Sequence, residues 1–427
     1  MRQLLIFLAF VSTPRLGTAE PITCGAATAD ITPPTGFPMW GYAARHDSPS
    51  LGVLDPLKAR AIVVSAGGQK LAIVSLDLGR APVRASTQSI RDRLRPDGIT
   101  AVMLIASHTH HGPILELDNW PDAKAPYVRQ LEDKLVELIR SADRAARPAR
   151  WGIAAKEVPF NRNRHSKRPD ALVDRTLTTI RIEQTDGKPI AHLVHFAAHA
   201  TMHPAAVLKF SADWPGAMAA LVEKETGAPC LFLQGAAGDL SPNPPSDVRG
   251  PNAFGETMGR AAIELIKTII CQESKAELAV RTESFTFAAR LDVSSPFVHA
   301  GLSRAFFPDL VAFYEREYKE GVRPQMTVAL LDGKLGLVGI SGEPFCGHAI
   351  SLRKRARLDH VLLCGYCNDY QQYFPTIEAT SEGGYGSTPP INMAEIGAGE
   401  KMIDRALIAL YRMRGLLPEN SAADQRR

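Results

Sequence analysis

Past its first twenty residues the sequence holds no apolar run long enough to cross a bilayer, which excludes a helical span there. Lysine and arginine are not bunched either. With a formal net charge of +4, the chain has no electrostatic footprint for nucleic acid or an anionic membrane surface. No repeat or low-complexity segment is visible, so no repeat architecture is expected. The pair "CGYC" at 364–367 has no second CxxC to complete a four-thiolate zinc site, and no helix pattern opens at its first cysteine. It reads as an inert or locally disulfide-bonded pair.

What is present is ordinary globular composition, 45% hydrophobic and 22% charged over 427 residues. Residues 1–19 have an early Arg2, an apolar core from Leu4 to Val11 and small residues at Gly17 to Ala19. This is the pattern of an export signal, too short for an anchor, and it predicts a secreted or periplasmic protein. The six cysteines, Cys24, Cys230, Cys271, Cys346, Cys364 and Cys367, then have access to disulfide chemistry, but their spacing fixes no pairing.

Short apolar runs alternate with amphipathic stretches. "RAIVVSA" and "KLAIVSLDLG" read as a hairpin, "AVMLIAS" as a buried strand, and "TLTTIRIEQ" and "AHLVHFAAH" as strands paired around "TDGK". Helical spacing places Val128, Leu131, Leu135, Leu138 and Ile139 on one face, and "WPGAMAALVEKETG" is a helix stopped by Gly227. The expected fold class is α/β: a mixed β-sheet core flanked by helices in one large catalytic domain over residues 20–416, with a disordered tail at 417–427. The strand-like stretch "AELAVRTESFTFAARLDV" marks either a subdomain boundary or an edge hairpin extending the same sheet.

Chemistry in α/β proteins gathers at strand ends, and four ends here carry suitable residues. One ends in His108, His110 and His111; a second offers His195, His199 and His203; a third delivers Asp239 and Ser241; a fourth delivers Glu343. In an extended segment His108 and His110 point to the same side. Imidazoles with a carboxylate suit zinc, which would acidify a bound water. His199 and His203 are four apart, but no Glu follows His199 as a zincin helix requires, so His199 is expected at a strand end with His203 nearby. Asp239 suits a role orienting a histidine or a plain turn position, and Asp213 the same orienting role or the cap of a helix opening at Pro215.

Six stretches occur in the order of the neutral/alkaline ceramidase family: "ADITPP" at 29–34, "GYAAR" at 41–45, "SHTHHGP" at 107–113, "FAAHATM" at 196–202, "GDLSPN" at 238–243 and "SGEPF" at 341–345. The chain resembles that family of zinc amidases, which cleave the N-acyl bond of ceramide. The resemblance implies one Zn2+ per chain, held by His108, His199, Glu343 and Tyr373, with Tyr370 as the alternative tyrosine. It implies that His110 contacts the reacting carbonyl and that Tyr385 belongs to the pocket. From "FNRNR" it implies Arg162 as a substrate-orienting group, with Arg164 as the alternative, and it makes Ser241 a nucleophile or hydrogen-bonding group. The implied partner is a lipid or small-molecule acyl amide, with at most peripheral membrane contact.

This sequence departs from the family pattern in carrying His111 after "HTH", in an altered tyrosine stretch, and in an expected lack of the family's C-terminal immunoglobulin-like domain. Two rivals follow: a zinc hydrolase of another amide or ester, and a binding protein with a relic metal site.

Overall fold

The computed structural model describes residues 21–117 and 126–419. The export signal read at 1–19, and the tail from residue 420 onward, lie outside the described residues. A large sheet takes eight strands: β1 (Thr23–Asp30), β2 (Lys58–Ala66), β3 (Gln69–Leu76), β4 (Ala101–Ala106), β5 (Arg147–Glu157), β7 (Thr176–Gln184), β8 (Pro189–Phe196) and β9 (Cys230–Gln234). Their order is β4-β3-β2-β1-β5-β7-β8-β9, with the outermost pairs, β3 with β4 and β8 with β9, parallel. Short β6 (Asn161–Asn163) pairs with β10 (Leu240–Pro242).

The segment read as a possible extension of the same sheet instead opens a second one. There β11 (Leu278–Ser284), β12 (Gln325–Leu331), β13 (Leu335–Ile340) and β15 (His360–Cys364) lie in that order. A two-strand pair of β14 (Glu343–Pro344) and β16 (Tyr373–Phe374) stands apart.

Period-two alternation explains how the sheets stack. In β2 and β3, Ala61, Val63, Ala72 and Val74 join one core cluster with residues of helices α1 (Arg84–Leu94) and α2 (Tyr127–Arg144). Their neighbours Ile62, Val64, Leu71 and Ile73 join another with Leu278, Ala329, Leu335 and Leu337 of the second sheet. Both faces are buried, which is why these strands read as continuous apolar runs. Helices α3 (Asp213–Thr226) and α4 (Gly250–Thr268) cover the β7 to β9 end with Trp214, Met218, Phe254 and Met258. Gly227 ends α3 in the left-handed conformation, as expected. The α2 face of Val128, Leu131, Leu135, Leu138 and Ile139 is buried. Among the described residues no helix is long and apolar enough to cross a membrane.

Four more helices follow: α5 (Pro296–Ala305), α6 (Pro308–Tyr318), α7 (Cys346–Arg355) and α8 (Ile377–Glu382). A last one, α9 (Ala398–Met413), ends the described fold, and α7 and α9 pack on the second sheet.

The two edges of the large sheet approach each other, and this creates the site. Gln234 at the end of β9 donates through Nε2 to the carbonyls of Ser107 and Ala198, tying the β4 and β8 ends together. The segment after β15 completes the bridge: Gly365 N donates to Gln234 O, and Ala106 N to Tyr366 O. Asn368 lies along β4, taking a bond from Leu104 N and giving one to Val102 O. All six cysteines are free thiols. Cys364 and Cys367 sit in the apolar layer between the sheets, and burial pushes the Cys367 thiol up to about 12.

Candidate metal centre

Strand β4 ends at Ala106, so His108 and His110 do not sit on an extended segment as expected. His108 takes a left-handed backbone, φ 64°, a costly conformation for a residue with a Cβ. Ser107 N on Leu76 O and His108 N on Leu78 O hold the chain in it. The turn still brings the rings together, with the two Nε2 atoms 3.3 Å apart, while His111 leaves in another direction. It meets Arg45 Nη2 at 2.6 Å through its own Nε2, and its ring packs on His203.

His199 arrives from the loop after β8, its N–H on Leu240 O and its carbonyl accepting from Trp214 Nε1. Glu343 arrives on β14, where its N–H bonds Gln372 O. The side chains of 108, 199 and 343 therefore converge: Glu343 Oε2 lies 3.5 Å from His108 Nε2 and 3.1 Å from His199 Nε2. His108, His110 and His199 form a buried triad whose ligand atoms lie within 4.8 Å of one another.

The second set of ring nitrogens decides what this cluster is. His108 Nδ1 donates to Gly79 O at 2.8 Å, and His199 Nδ1 to Ala237 O at 2.8 Å. Each ring thereby carries its proton on Nδ1 and has an unprotonated, accepting nitrogen at Nε2. Burial, outweighing the adjacent Glu343 carboxylate, pushes the His108 pKa down to about 3. Burial, reinforced by the Arg164 cation, holds His199 well below the ordinary imidazole range. Two unprotonated nitrogens and a carboxylate oxygen facing one another without a proton between them form a donor set for a divalent cation. The donor set fits zinc.

A cation already lies against this cluster. Arg164 Nη2 is 2.7 Å from His199 Nε2 and 2.9 Å from Tyr373 Oη, and it also bonds Gly238 O. Tyr373 thus reaches the centre by way of a guanidinium. Tyr370 instead donates to Glu343 Oε1 at 2.5 Å, and Tyr366, which the sequence reading passed over, donates to Oε2 at 3.2 Å. Trp40, also passed over, sets its ring edge-on against His108, His110 and Tyr370, with Nε1 on Glu116. The run "CGYCNDYQQYF" held the signal for Tyr366, since it places three tyrosines within eight residues, but the cysteines drew the reading.

Arg162 is exposed on β6, opposite Ser241 on β10, and the guanidinium that reaches the imidazoles is that of Arg164, just past the strand. Ser241 is half-buried and outside the cavity lining. The Asp239 carboxylate accepts from Cys346 N and Sγ at the start of α7 and from Asn163 Nδ2, and its carbonyl accepts from Arg164 N. Burial raises the Asp239 pKa to about 6. Asp213 lies inside α3 rather than capping it, and its carboxylate takes the N–H groups of Met202, His203 and Trp214.

His110, Glu343, Tyr370, Tyr373 and Tyr385 line one cavity of about 230 Å³, whose remaining wall is largely apolar. Tyr385 is 63% exposed, its ring on Tyr373 and beneath the Arg164 guanidinium. His110 is held neutral by burial and by the adjacent imidazoles. Its Nδ1 is buried without a partner among the described residues, and Arg45 Nη1 clamps its carbonyl.

Residues 22–253 match the model of the N-terminal part of the neutral/alkaline non-lysosomal ceramidases. The chain belongs to the neutral/alkaline ceramidase family. Neutral ceramidase A of Dictyostelium discoideum is 28% identical over 262 residues, 53% of this chain and 36% of that protein. Neutral ceramidase of Pseudomonas aeruginosa is 26% identical over 267 residues, 55% and 39% of the two chains. The matches therefore span little more than a third of these relatives. The solved structure of the Pseudomonas aeruginosa neutral ceramidase superposes with a TM-score of 0.76 at 21% identity, covering 94% of this chain and 76% of that one. The ceramidase fold thus extends well past residue 253, through the segments that bring Glu343 and the tyrosines to the centre.

Proposed function

We propose that this ceramidase-family chain is a zinc-dependent amidohydrolase that cleaves the N-acyl bond of ceramide or a related lipid amide. The observation that carries this reading is the convergence of two Nδ1-protonated imidazoles and a carboxylate within 3.5 Å at one wall of a largely apolar cavity. His108, His199 and Glu343 would hold the ion, with a tyrosine from 370 or 373 completing the set. When bound, zinc supplies a Lewis acid that polarises the amide carbonyl and acidifies a water.

The protein's own groups do the rest. Hydroxyl donors from Tyr366 and Tyr370 fix the rotamer of Glu343. Arg164 keeps its charge at any working pH and, with the Tyr373 hydroxyl, directs donors toward an oxygen that gains negative charge. Neutral His110 lines the cavity, and a ring nitrogen there accepts a proton from the attacking water and returns it to the departing amine. The buried centre excludes bulk water, which strengthens each of these interactions.

The test is metal analysis after dialysis together with release of fatty acid from a fluorescent ceramide and from simpler N-acyl amides. About one zinc per chain and chelator-sensitive release are expected. A chain that binds no metal, or that hydrolyses with chelator present, refutes the reading. Export is proposed on residues 1–19 alone, and an intact N-terminus on the mature protein would refute it.

A further inference from the structure

Among the described residues three arginines are buried: Arg45, Arg60 and Arg80. Arg60 lies on the carboxylates of Asp77 and Glu223, and Arg80 on those of Glu116 and Asp369. Arg45 instead directs its guanidinium at neutral acceptors. Nε donates to Ala205 O at 2.9 Å, Nη1 to Trp40 O at 3.3 Å and to His110 O, and Nη2 to Val207 O at 3.2 Å and His111 Nε2 at 2.6 Å. A guanidinium has five N–H groups in a rigid fork, so none is left over and only one geometry satisfies them all. Burial draws the Arg45 pKa down to about 10, whereas at Arg60 and Arg80 the same burial is outweighed by the paired carboxylates and the shift is upward. Neutral acceptors offset a buried charge less well than a carboxylate does, so keeping a cation here costs stability.

What the fork holds is the surroundings of His110. The Trp40 ring stands edge-on to His110 at 5.5 Å and the Tyr42 ring at 4.7 Å. Arg45 reaches both: its Nη1 serves the carbonyls of Trp40 and His110 together, and its Cζ lies 4.8 Å from the centre of the Tyr42 ring. Tyr42 in turn donates to His203 O, in the same loop as Ala205 and Val207. The side chain can do this because it closes a single helical turn, Ala43–Arg45, with Gly41 and His46 bending the chain on either side at φ 110° and 49°. We propose that Arg45 is the positioning residue of His110: one guanidinium spans the three segments around that ring and aims it into the cavity, without lining the cavity itself. Its effect on turnover rests on the amidohydrolase reading; its effect on the His110 ring does not.

The test substitutes Arg45→Lys in the full chain, which keeps the charge and removes the fork. Arg45→Gln is read alongside, so that a folding failure of one variant leaves the other to decide. Ring signals of nitrogen-15-labelled histidine are followed by NMR and assigned with His110→Gln. The His110 signals are expected to shift or broaden, while those of His108 and His199, held by Gly79 O and Ala237 O, stay in place. On an N-acyl amide, kcat should fall by roughly ten- to a hundredfold, with KM within about threefold and zinc content unchanged. Arg60→Lys alters a buried arginine tied to Asp77 and Glu223, and should lower the melting temperature without moving the His110 signals or kcat. Unmoved His110 signals in the Arg45 variants, an equal displacement in Arg60→Lys, or zinc lost in step with kcat overturns the proposal. Displaced His110 signals in a chain whose wild type cleaves no amide sink the hydrolase reading and support this one.

Discussion

On one side of the cavity the functional side chains are tied by hydrogen bonds; on the other they are held by packing alone. His108 and His199 are fixed through Gly79 O and Ala237 O, and Glu343 through two tyrosine hydroxyls. Leu302, Phe306 and Leu310 carry no polar group, and the shape of the α5 and α6 hairpin fixes them. Hydrogen bonds have direction, so the first wall tolerates almost no displacement. Apolar contacts trade volume, so the second can be resized at modest cost. The metal-type donors belong to the first wall and the apolar surface to the second.

His108→Ala is the most severe way to break this contrast. It removes one of the converging lone pairs, and zinc content and turnover are expected to fall together, turnover by roughly a thousandfold. Circular dichroism should show the fold intact. An active, zinc-replete variant sinks the ligand assignment. Tyr370→Phe deletes the shorter hydroxyl bond to Glu343, and metal affinity or activity should fall by roughly ten- to a hundredfold; calorimetric zinc titration reads it. If Tyr370→Phe is silent while Tyr373→Phe is not, the tyrosine ligand is Tyr373.

Gly41→Ala acts through geometry. Gly41 has φ +110°, and a Cβ there would lie 2.6 to 2.7 Å from His110 atoms. Displacing His110 should cost roughly tenfold in kcat with zinc content unchanged, since His110 is assigned to the substrate. A matching loss of zinc would instead make His110 a ligand.

The mildest expected effect lies away from the cavity, at His192. It is buried with neither ring nitrogen partnered among the described residues, and burial, then the Arg181 cation, pushes its pKa down to about 4. Unfolding frees it to bind a proton below about 6.5. The folded chain therefore loses stability as pH falls from about 6.5 to 4, by on the order of 3 kcal/mol from this group. His192→Leu should flatten the melting temperature of the metal-free protein across that window by a few degrees. An unchanged slope removes His192 from the account. The contrast with His108 is instructive: both imidazoles are buried and neutral, but only His108 has a backbone acceptor on one nitrogen and a carboxylate before the other.

Much of this was legible in the chain itself. Strands such as β2, β3 and β4 were readable because both their faces are buried, which leaves an uninterrupted apolar run. His108, His199 and Glu343 stood out because each follows such a run, and their spacing along the chain needed no geometry to be noticed. Arg162 and Arg164 were inseparable, because two Asn-Arg steps follow one another. Only the tertiary fold leaves Arg162 exposed on β6 and brings Arg164, just past that strand, onto His199. The second sheet could not be told from an extension of the first, since a strand's pattern records which faces are buried and not which neighbour buries them.

By itself, then, the sequence determined the residue types of a metal centre and the elements that carry them, because local periodicity and residue chemistry are properties of neighbours in the chain. The tertiary structure alone decided the rest. It curled the large sheet until the ends of β4 and β9 met at Gln234, swung Tyr366 and Tyr370 onto Glu343, and set α5 and α6 against the cavity. Those contacts join residues up to some two hundred and more positions apart, and only burial and hydrogen-bond satisfaction in three dimensions select them from the many pairings that the chain would permit.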